Sequence, residues 1–248
     1  MSGFRERYQG LRPGLEIGPH SNNQDFWDIV FGRPSAFLLL VFIGGLRWIT
    51  PNLLTVLSLV LKLVVAAMIA WGDTTMWLWS IPVLLFSQTL DCADGQLARY
   101  RQVSSAIGSY FDKLVDAIGF LFIFAALAEV CVRETGHVYY VHLSTLTIFA
   151  ILMSGYVKWV VVAEILETGG SSEQATNRMA RDFTWWHLGI KLFEFTEGDL
   201  HLWMAIGLAI ARPTWLLWLL AITQTVMVVV AIVYRGLQLA RNARGSGG

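Results

Sequence analysis

Four aspartates lie close together in the sequence, in an arrangement suited to binding positively charged ligands together. Asp91 and Asp94 are three residues apart, and Asp112 and Asp116 are four residues apart. On helices, both spacings place the two carboxylates of a pair on one face. Apolar runs flank the four residues, and carboxylates beside a membrane are too costly to leave unpaired. Hard oxygen ligands favour Mg²⁺, Mn²⁺ or Ca²⁺ over zinc, so the pattern predicts two divalent ions that clamp an anion such as a diphosphate.

The elements that must position these aspartates are membrane helices. The 248 residues are 55% hydrophobic and 15% charged, which is too apolar for an ordinary soluble domain. The shorter apolar stretch 35–49 is better explained by a helix lying at the membrane interface. We therefore predict an all-α integral membrane protein with six transmembrane helices plus an N-terminal interfacial, juxtamembrane helix. The predicted spans are 52–71, 76–92, 107–131, 139–164, 199–212 and 214–235.

The distribution of cations predicts the orientation. If the aspartates face the cytoplasm, the outside carries only Arg133 and Arg212, while Lys62 and Lys158 lie within spans. This asymmetry requires an even number of spans. The balance of 18 basic and 18 acidic residues argues against nucleic acid as a partner. The polar N-terminus shows no apolar segment typical of a cleavable signal peptide.

The residues around the aspartates suggest phosphoryl-type transfer. Asp91 and Asp94 close the second predicted span, Asp112 and Asp116 open the third, and a short connection would bring the pairs face to face. Nearby glycines let backbone or ligand approach closely. Arg99 follows the first pair, and a guanidinium fits a phosphate with two hydrogen bonds. Carboxylates, metals and an arginine together suit a reaction in which electrostatics and positioning do most of the work.

The full pattern over residues 91–116 resembles the signature of the CDP-alcohol phosphotransferase family. The matching positions are Asp91, Asp94, Gly95, Ala98, Arg99, Gly108, Asp112 and Asp116. The segment 50–55, Thr-Pro-Asn-Leu-Leu-Thr, also resembles the start of the family's first helix. Independently of the resemblance, Pro51 suits a first helical turn with Thr50 as its cap.

The resemblance implies specific roles for these residues. The four aspartates would hold a dinuclear Mg²⁺ or Mn²⁺ centre, and Asp116 would also be the general base that takes the proton of the acceptor hydroxyl. Family members transfer a substituted phosphate from a CDP-linked donor to a hydroxyl and release CMP, and a homodimer is expected. The residues expected to contact the CDP moiety are Asn52, Thr55, Gly95, Ala98, Arg99 and Gly108.

Other polar residues leave alternatives open. Lys62 lies deep in the first span, where it could contact substrate, pair with a carboxylate or extend to the interface. Lys158, Arg178 and Arg181 suit a pocket for a phosphorylated acceptor, or else contact lipid phosphates at the membrane surface. The predicted organisation is a cytoplasmic segment 1–33, a membrane domain 34–236 and a flexible cytoplasmic tail 237–248.

We therefore predict a metal-dependent CDP-alcohol phosphotransferase, a multi-pass membrane enzyme with its active site facing the cytoplasm. The reaction would belong to phospholipid or related phosphodiester biosynthesis, with membrane lipid, a CDP-linked donor and a hydroxyl acceptor as partners. The sequence leaves the donor and the acceptor open. The alternatives are a transporter or divalent-cation-binding protein that uses the aspartates, or a relative that only binds nucleotide. A transporter needs acidic residues near the bilayer midplane, whereas these stand at span ends.

Overall fold

The computed structural model describes residues 2–15, 25–167 and 197–245, and this part of the chain forms eight α-helices and no β-strand. The all-α prediction is confirmed. A 3-10 turn over Arg12–Leu15 follows the first helix, and a π-helical turn over Asp28–Gly32 leads into the second. The helices are α1 Ser2–Leu11, α2 Arg33–Ile43, α3 Pro51–Trp71, α4 Thr74–Tyr100, α5 Ala106–Thr135, α6 Tyr139–Glu167, α7 Glu197–Ala209 and α8 Pro213–Gly245.

Four of these helices are long and apolar enough to cross a membrane. They comprise α3, most or all of α5 and α6, and the part of α8 up to Leu237. The helix α7 has 13 residues and is about 20 Å long, shorter than a hydrocarbon core of about 30 Å. The helix α4 is long but carries more polar side chains. Length and composition therefore support four spans, and the count of six, which adds 76–92 and 199–212, stays a prediction.

The N-terminal region contains two helices, where the sequence predicted one over 35–49. The helix α2 ends at Ile43, and a turn connects it to α3. The additional helix α1 packs against α2 through an edge-on contact between Tyr8 and Phe37, whose ring centroids are 5.4 Å apart. Arg7 also donates a hydrogen bond of 3.0 Å to the carbonyl of Val41. These contacts make α1 and α2 one unit.

Side-chain caps fix the starts of the helices that carry the aspartates and their neighbour. Thr50 accepts a hydrogen bond from the Leu53 amide at 3.2 Å, and Pro51 begins α3, which confirms the predicted start. Ser105 likewise accepts the Gly108 amide at 3.0 Å at the start of α5. The helix α4 continues to Tyr100, so Asp91 and Asp94 lie about two and a half and one and a half turns inside it rather than at its end.

Two apolar clusters form the core, and polar residues lie between them. The larger cluster joins α3, α4, α5, α6, α7 and α8, and the smaller one joins α1 and α2 to α3 and α4. Along α3, Leu54 belongs to the smaller cluster and Val65 to the larger. Lys62 lies between Leu54 and Val65 in the sequence. On α3, Lys62 therefore lies where the two apolar clusters meet. On α4, Asp91 directly follows Leu90 of the smaller cluster.

Candidate active site

Three of the four aspartates come together in the folded chain. Carboxylate oxygens of Asp91 on α4 and of Asp112 and Asp116 on α5 all lie within 4.8 Å of one another. The sequence predicted α4 and α5 as directly packed neighbours, and this was wrong: α3 packs against both of them, and direct contacts between α4 and α5 are few. The site is therefore built from three helices, and its carboxylates come from two.

The third helix contributes Lys62, which pairs with two of these carboxylates. Its side chain is completely buried, at 0% exposure, and its Nζ lies 3.5 Å from Asp91 Oδ1. Nζ also donates a hydrogen bond to Asp116 Oδ1. Of the alternatives that the sequence left open for Lys62, the structure shows pairing with carboxylates. We call Lys62, Asp91, Asp94, Asp112 and Asp116 the aspartate centre.

Asp94 has a different partner from the other aspartates. Its side chain is 6% exposed, and its Oδ2 accepts a hydrogen bond from the hydroxyl of Thr55 on α3. Asp94 and Asp112 both line a cavity of about 530 Å³, whereas Asp91 and Asp116 do not contribute to its lining. The aspartate centre thus has one side that faces this cavity and another side that holds Lys62.

The cavity collects all six residues that the sequence predicted around a CDP moiety. Its lining includes Asn52, Thr55, Gly95, Ala98, Arg99 and Gly108. A nucleoside diphosphate has the size and polarity for a cleft of this volume. Sequence reasoning missed several further polar lining residues, which come from the ends of α3 and α4 and from the start of α5. They are Thr50, Arg101, Ser104, Ser105 and Ser109.

The guanidinium of Arg99 lies against the helix at Gly95. A Cβ atom at this position would lie 3.4 Å from Arg99 Nη1, which is an ordinary contact distance. Burial, followed by the neighbouring charge of Arg33, lowers the pKa of Arg99 from its ordinary value. Two cationic side chains near one cleft favour an anionic ligand, and Arg99 lines the cleft itself.

The carboxylates fit a hard divalent cation. Asp91 Oδ1 is buried and accepts no hydrogen bond from any described residue, although the Lys62 ammonium lies 3.5 Å away. A buried carboxylate oxygen without a hydrogen bond is costly, and a metal ion would satisfy it. Oxygen donors from three converging carboxylates match the ligand preference of Mg²⁺ and Mn²⁺. The donor set therefore suits the metal that the sequence predicts.

Some predicted residues cannot be placed at the site. Arg178 and Arg181 lie outside the described residues, as does the side chain of Lys158. The predicted pocket for a phosphorylated acceptor therefore stays a prediction.

Sequence reasoning missed a second polar group close to the first. Asp28 Oδ1 accepts hydrogen bonds from Gln88 Nε2 at 2.8 Å and from Cys92 Sγ at 3.6 Å. Asp25 Oδ2 accepts the amide of Gly198 at 2.7 Å, and Gln88 Nε2 also lies 3.3 Å from the Gly198 carbonyl. We call Asp25, Asp28, Gln88 and Gly198 the N-terminal polar cluster. The only sequence signal for it was a glutamine within an apolar run.

The chain resembles known proteins over its central part. A family described as CDP-alcohol phosphatidyltransferase matches residues 48–179, which is more than half of the chain. Cholinephosphotransferase 1 of Danio rerio is 29% identical over 92 residues, which cover 34% of this chain and 24% of that protein. The chain thus matches about a quarter of the length of this relative. Since the family match contains the aspartates and the cavity residues, the chain belongs to the CDP-alcohol phosphatidyltransferase family.

Proposed function

We propose that this protein transfers a substituted phosphate from a CDP-linked donor to a hydroxyl acceptor and releases CMP. The observation that carries this proposal is the cavity of about 530 Å³ that reaches the aspartate centre through Asp94 and Asp112. A cleft with arginine, serine and glycine on its walls and carboxylates at one end suits a nucleoside diphosphate that brings its phosphates to bound cations.

The proposed reaction is a direct displacement at phosphorus. The acceptor oxygen forms a bond to the β-phosphorus of the donor as the bond from that phosphorus to the bridging oxygen breaks. The electron pair of the broken bond stays on the phosphate of CMP, and the proton of the acceptor hydroxyl passes to Asp116. Asp116 lies beside Asp112 but outside the cavity lining, so the acceptor would approach the donor from the opposite side of the carboxylates.

The remaining roles follow from position and charge. Arg99 binds donor phosphate, while Asn52, Gly95, Ala98 and Gly108 border the nucleotide. Thr55 orients Asp94 through its hydroxyl. Two Mg²⁺ or Mn²⁺ ions held by Asp91, Asp94, Asp112 and Asp116 would offset the negative charge of the diphosphate.

The same proposal includes the membrane arrangement. Six spans, made by adding α4 and α7 to the four apolar helices, place both ends of the membrane domain 34–236 on one side. Arg5, Arg12, Arg33 and Arg47 lie before the first of these spans, which supports a cytoplasmic face for the cavity. We further propose a homodimer, as the family resemblance implies.

The substrate class is open between two arrangements. The Danio rerio relative is named Cholinephosphotransferase 1, and this name favours a soluble CDP-alcohol donor and a lipid acceptor. The alternative is CDP-diacylglycerol or another CDP-lipid with a polar acceptor such as an inositol or glycerol phosphate. Apolar walls of the surrounding helices would admit a lipid in either case.

The test is CMP release by the purified protein with Mg²⁺ or Mn²⁺. A panel would pair CDP-choline with diacylglycerol, and CDP-diacylglycerol with inositol phosphate or glycerol phosphate. We expect CMP from at least one pair and none when EDTA removes the metal. Metal-dependent CMP release that needs the acceptor supports transfer. Absence of CMP from every pair, together with Mn²⁺ uptake into proteoliposomes, would instead support a transporter.

A further inference from the structure

Lys62 is a cation built into the aspartate centre. Its side chain is fully buried on α3, a helix apolar enough to span the membrane. The ammonium contacts Asp91 and Asp116, which are two of the three carboxylates that converge. A buried lysine is costly unless its charge is matched, so these contacts fix where the ammonium lies.

Neighbouring residues on α5 make room for this lysine. A Cβ atom at Gly119 would lie 2.5 Å from Lys62 Cδ and 3.2 Å from Lys62 Cβ, so a larger residue there would displace the side chain. The ring of Phe120 lies 5.6 Å from Nζ, a distance at which the face of an aromatic ring attracts a cation. The glycine and the aromatic ring therefore fit a lysine at this place, and the ring contacts the ammonium on a side that the carboxylates leave free.

The lysine divides the carboxylates into two unequal groups. Asp91 and Asp116 face the ammonium, whereas Asp94 is bonded to Thr55 and faces the cavity with Asp112. A divalent ion that uses Asp91 and Asp116 must approach the oxygens that the ammonium holds. The ammonium and the divalent ion are both positively charged, and two cations at the same carboxylates repel strongly where water is excluded. An ion that uses mainly Asp94 and Asp112 meets less repulsion.

We propose that Lys62 competes with one of the two divalent ions, so that the ions bind with unequal affinity. The tighter ion uses the cavity side of the centre, and the weaker one binds at Asp91 and Asp116 when the ammonium shifts away. Lys62 is thus a positioning residue that sets the metal occupancy of the site. This inference rests on the proposed function, because it requires a metal centre at the aspartates.

The experiment is a titration of purified protein with Mn²⁺, with free Mn²⁺ measured by electron paramagnetic resonance. We expect two classes of site in the wild type, with affinities that differ by about tenfold or more. Lys62→Met removes the charge but keeps an unbranched apolar side chain, and we expect it to tighten the weaker class by about tenfold. Lys62→Arg keeps a cation and should retain the inequality.

Lys113→Met is the matched control. Lys113 is exposed on α5 next to Asp112, and its ammonium lies over Trp159 rather than among the carboxylates. Lys113→Met removes a charge that acts on Asp112 but does not contact Asp91 or Asp116, so the weaker class of Mn²⁺ site should be unchanged. If both lysine variants tighten Mn²⁺ binding equally, the effect comes from general charge and the proposal is wrong.

Thermal unfolding supplies a second measurement, which is informative even when the variant fails to fold without metal. Without metal, Lys62→Met leaves Asp91 and Asp116 without a cation, so its Tm should be lower than that of the wild type. Added Mn²⁺ should then raise the Tm of Lys62→Met more than that of the wild type. A variant that folds only with Mn²⁺ also supports competition, whereas equal increases in Tm overturn it.

A third variant distinguishes a failure of the proposed metal centre from a failure of the proposed role of Lys62. Asp112→Asn removes a ligand and defines binding outside the centre. If wild-type protein binds Mn²⁺ no better than Asp112→Asn does, the metal centre of the proposed function fails and the role of Lys62 fails with it. If the wild type and Lys62→Met bind better than Asp112→Asn but give superimposable isotherms, only the role of Lys62 is wrong.

Discussion

The aspartate centre and the N-terminal polar cluster are two acidic groups that both include residues of α4. Their carboxylates are stabilised by different kinds of partner. In the N-terminal polar cluster, amide and thiol donors approach Asp25 and Asp28 at ordinary hydrogen-bonding distances. In the aspartate centre, the Lys62 ammonium forms ion pairs with two of the carboxylates, Asp91 and Asp116. Asp91 Oδ1 accepts no hydrogen bond from a described residue.

This is the difference that we expect between a structural site and one that binds a cation. Gln88 and the Gly198 amide donate to the carboxylates of the N-terminal polar cluster and join the chain before α2 to α4 and α7. The buried oxygen that accepts no hydrogen bond from a described residue is here the neutral Gln88 Oε1 and not a carboxylate oxygen. The aspartate centre keeps an excess of negative charge and faces a cavity through Asp94 and Asp112. Acidic residues alone did not distinguish the two groups, whereas the number and kind of their donors did.

The largest effect should come from removing a carboxylate of the aspartate centre. Asp91→Asn and Asp116→Asn should each lower the rate of CMP release by at least about 10³-fold, since a metal ligand or the general base is lost. The measurement is kcat for CMP release by variants that are extracted from the membrane fraction and elute as the wild type does in size-exclusion chromatography.

The matched control for these variants is Asp28→Asn in the N-terminal polar cluster. The same chemical change should leave kcat within about twofold, because Asp28 accepts hydrogen bonds that an asparagine oxygen can also accept. CMP release at the normal rate by Asp91→Asn would contradict the assignment of the centre. A loss of CMP release in Asp28→Asn as large as that in Asp91→Asn would remove the distinction between the two groups.

A smaller effect should follow from Thr55→Val, which removes the hydroxyl that donates to Asp94. The buried carboxylate then lacks this donor, so we expect CMP release to fall about tenfold and the free energy of unfolding to fall by about 1–3 kcal/mol. Thr55→Ser, which keeps the hydroxyl, should retain most of the activity. Activity of Thr55→Val equal to that of the wild type would show that Asp94 needs no orientation by α3.

Gln88→Leu tests the N-terminal polar cluster. The variant removes the donor that lies 2.8 Å from Asp28 Oδ1, and it should lower the free energy of unfolding by about 1–3 kcal/mol. Because Gln88 lies outside the cavity lining, kcat at a temperature where the protein is folded should change little. A selective loss of kcat without a change in stability would mean that this cluster takes part in the reaction.

The smallest effect concerns pH. Burial, and then the charge of Asp25, raise the pKa of Asp28 to about 7. The protonated acid is therefore favoured in the folded state, and its stabilisation is fully present below the ordinary pKa of 3.8 and is lost as pH rises through about 7. Gln88, Cys92 and Arg33 also face this carboxyl and favour its charged form.

Asp28→Asn should remove this dependence, because the amide stays neutral. We expect wild-type stability to decline on the order of 1 kcal/mol between about pH 5.5 and 7.0 relative to the variant. The measurement is Tm against pH for both proteins in the same detergent. Parallel curves would show that Asp28 does not change its protonation state over this range.

The sequence predicted the elements of the site better than their contacts. Apolar runs and capping residues such as Thr50 located the helices, because both signals are local in the chain. The spacing of Asp91, Asp94, Asp112 and Asp116 identified the carboxylates for the same reason. The full extent of α4 was missed, because its last turns are polar and lie beyond the apolar run that marked the span.

Contacts between distant parts of the chain could not be read from local patterns. Lys62 and Asp116 are 54 residues apart, and Gln88 and Gly198 are 110 residues apart. Gly119 showed no sign of its role, since the need for a small residue arises only when α3 packs on α5. These features depend on helix packing, which the periodicity of a single segment does not specify.

The guanidinium of Arg101 has a further consequence for how a nucleotide would bind. It donates hydrogen bonds to the carbonyls of Ile49 at 2.5 Å, Leu46 at 2.9 Å and Gly44 at 3.0 Å. The connection between α2 and α3 is thereby tied to the end of α4 at the rim of the cavity. A rim that is rigid before binding loses little conformational entropy when a ligand arrives. We therefore expect affinity for nucleotide to depend on direct contacts rather than on the ordering of a loop.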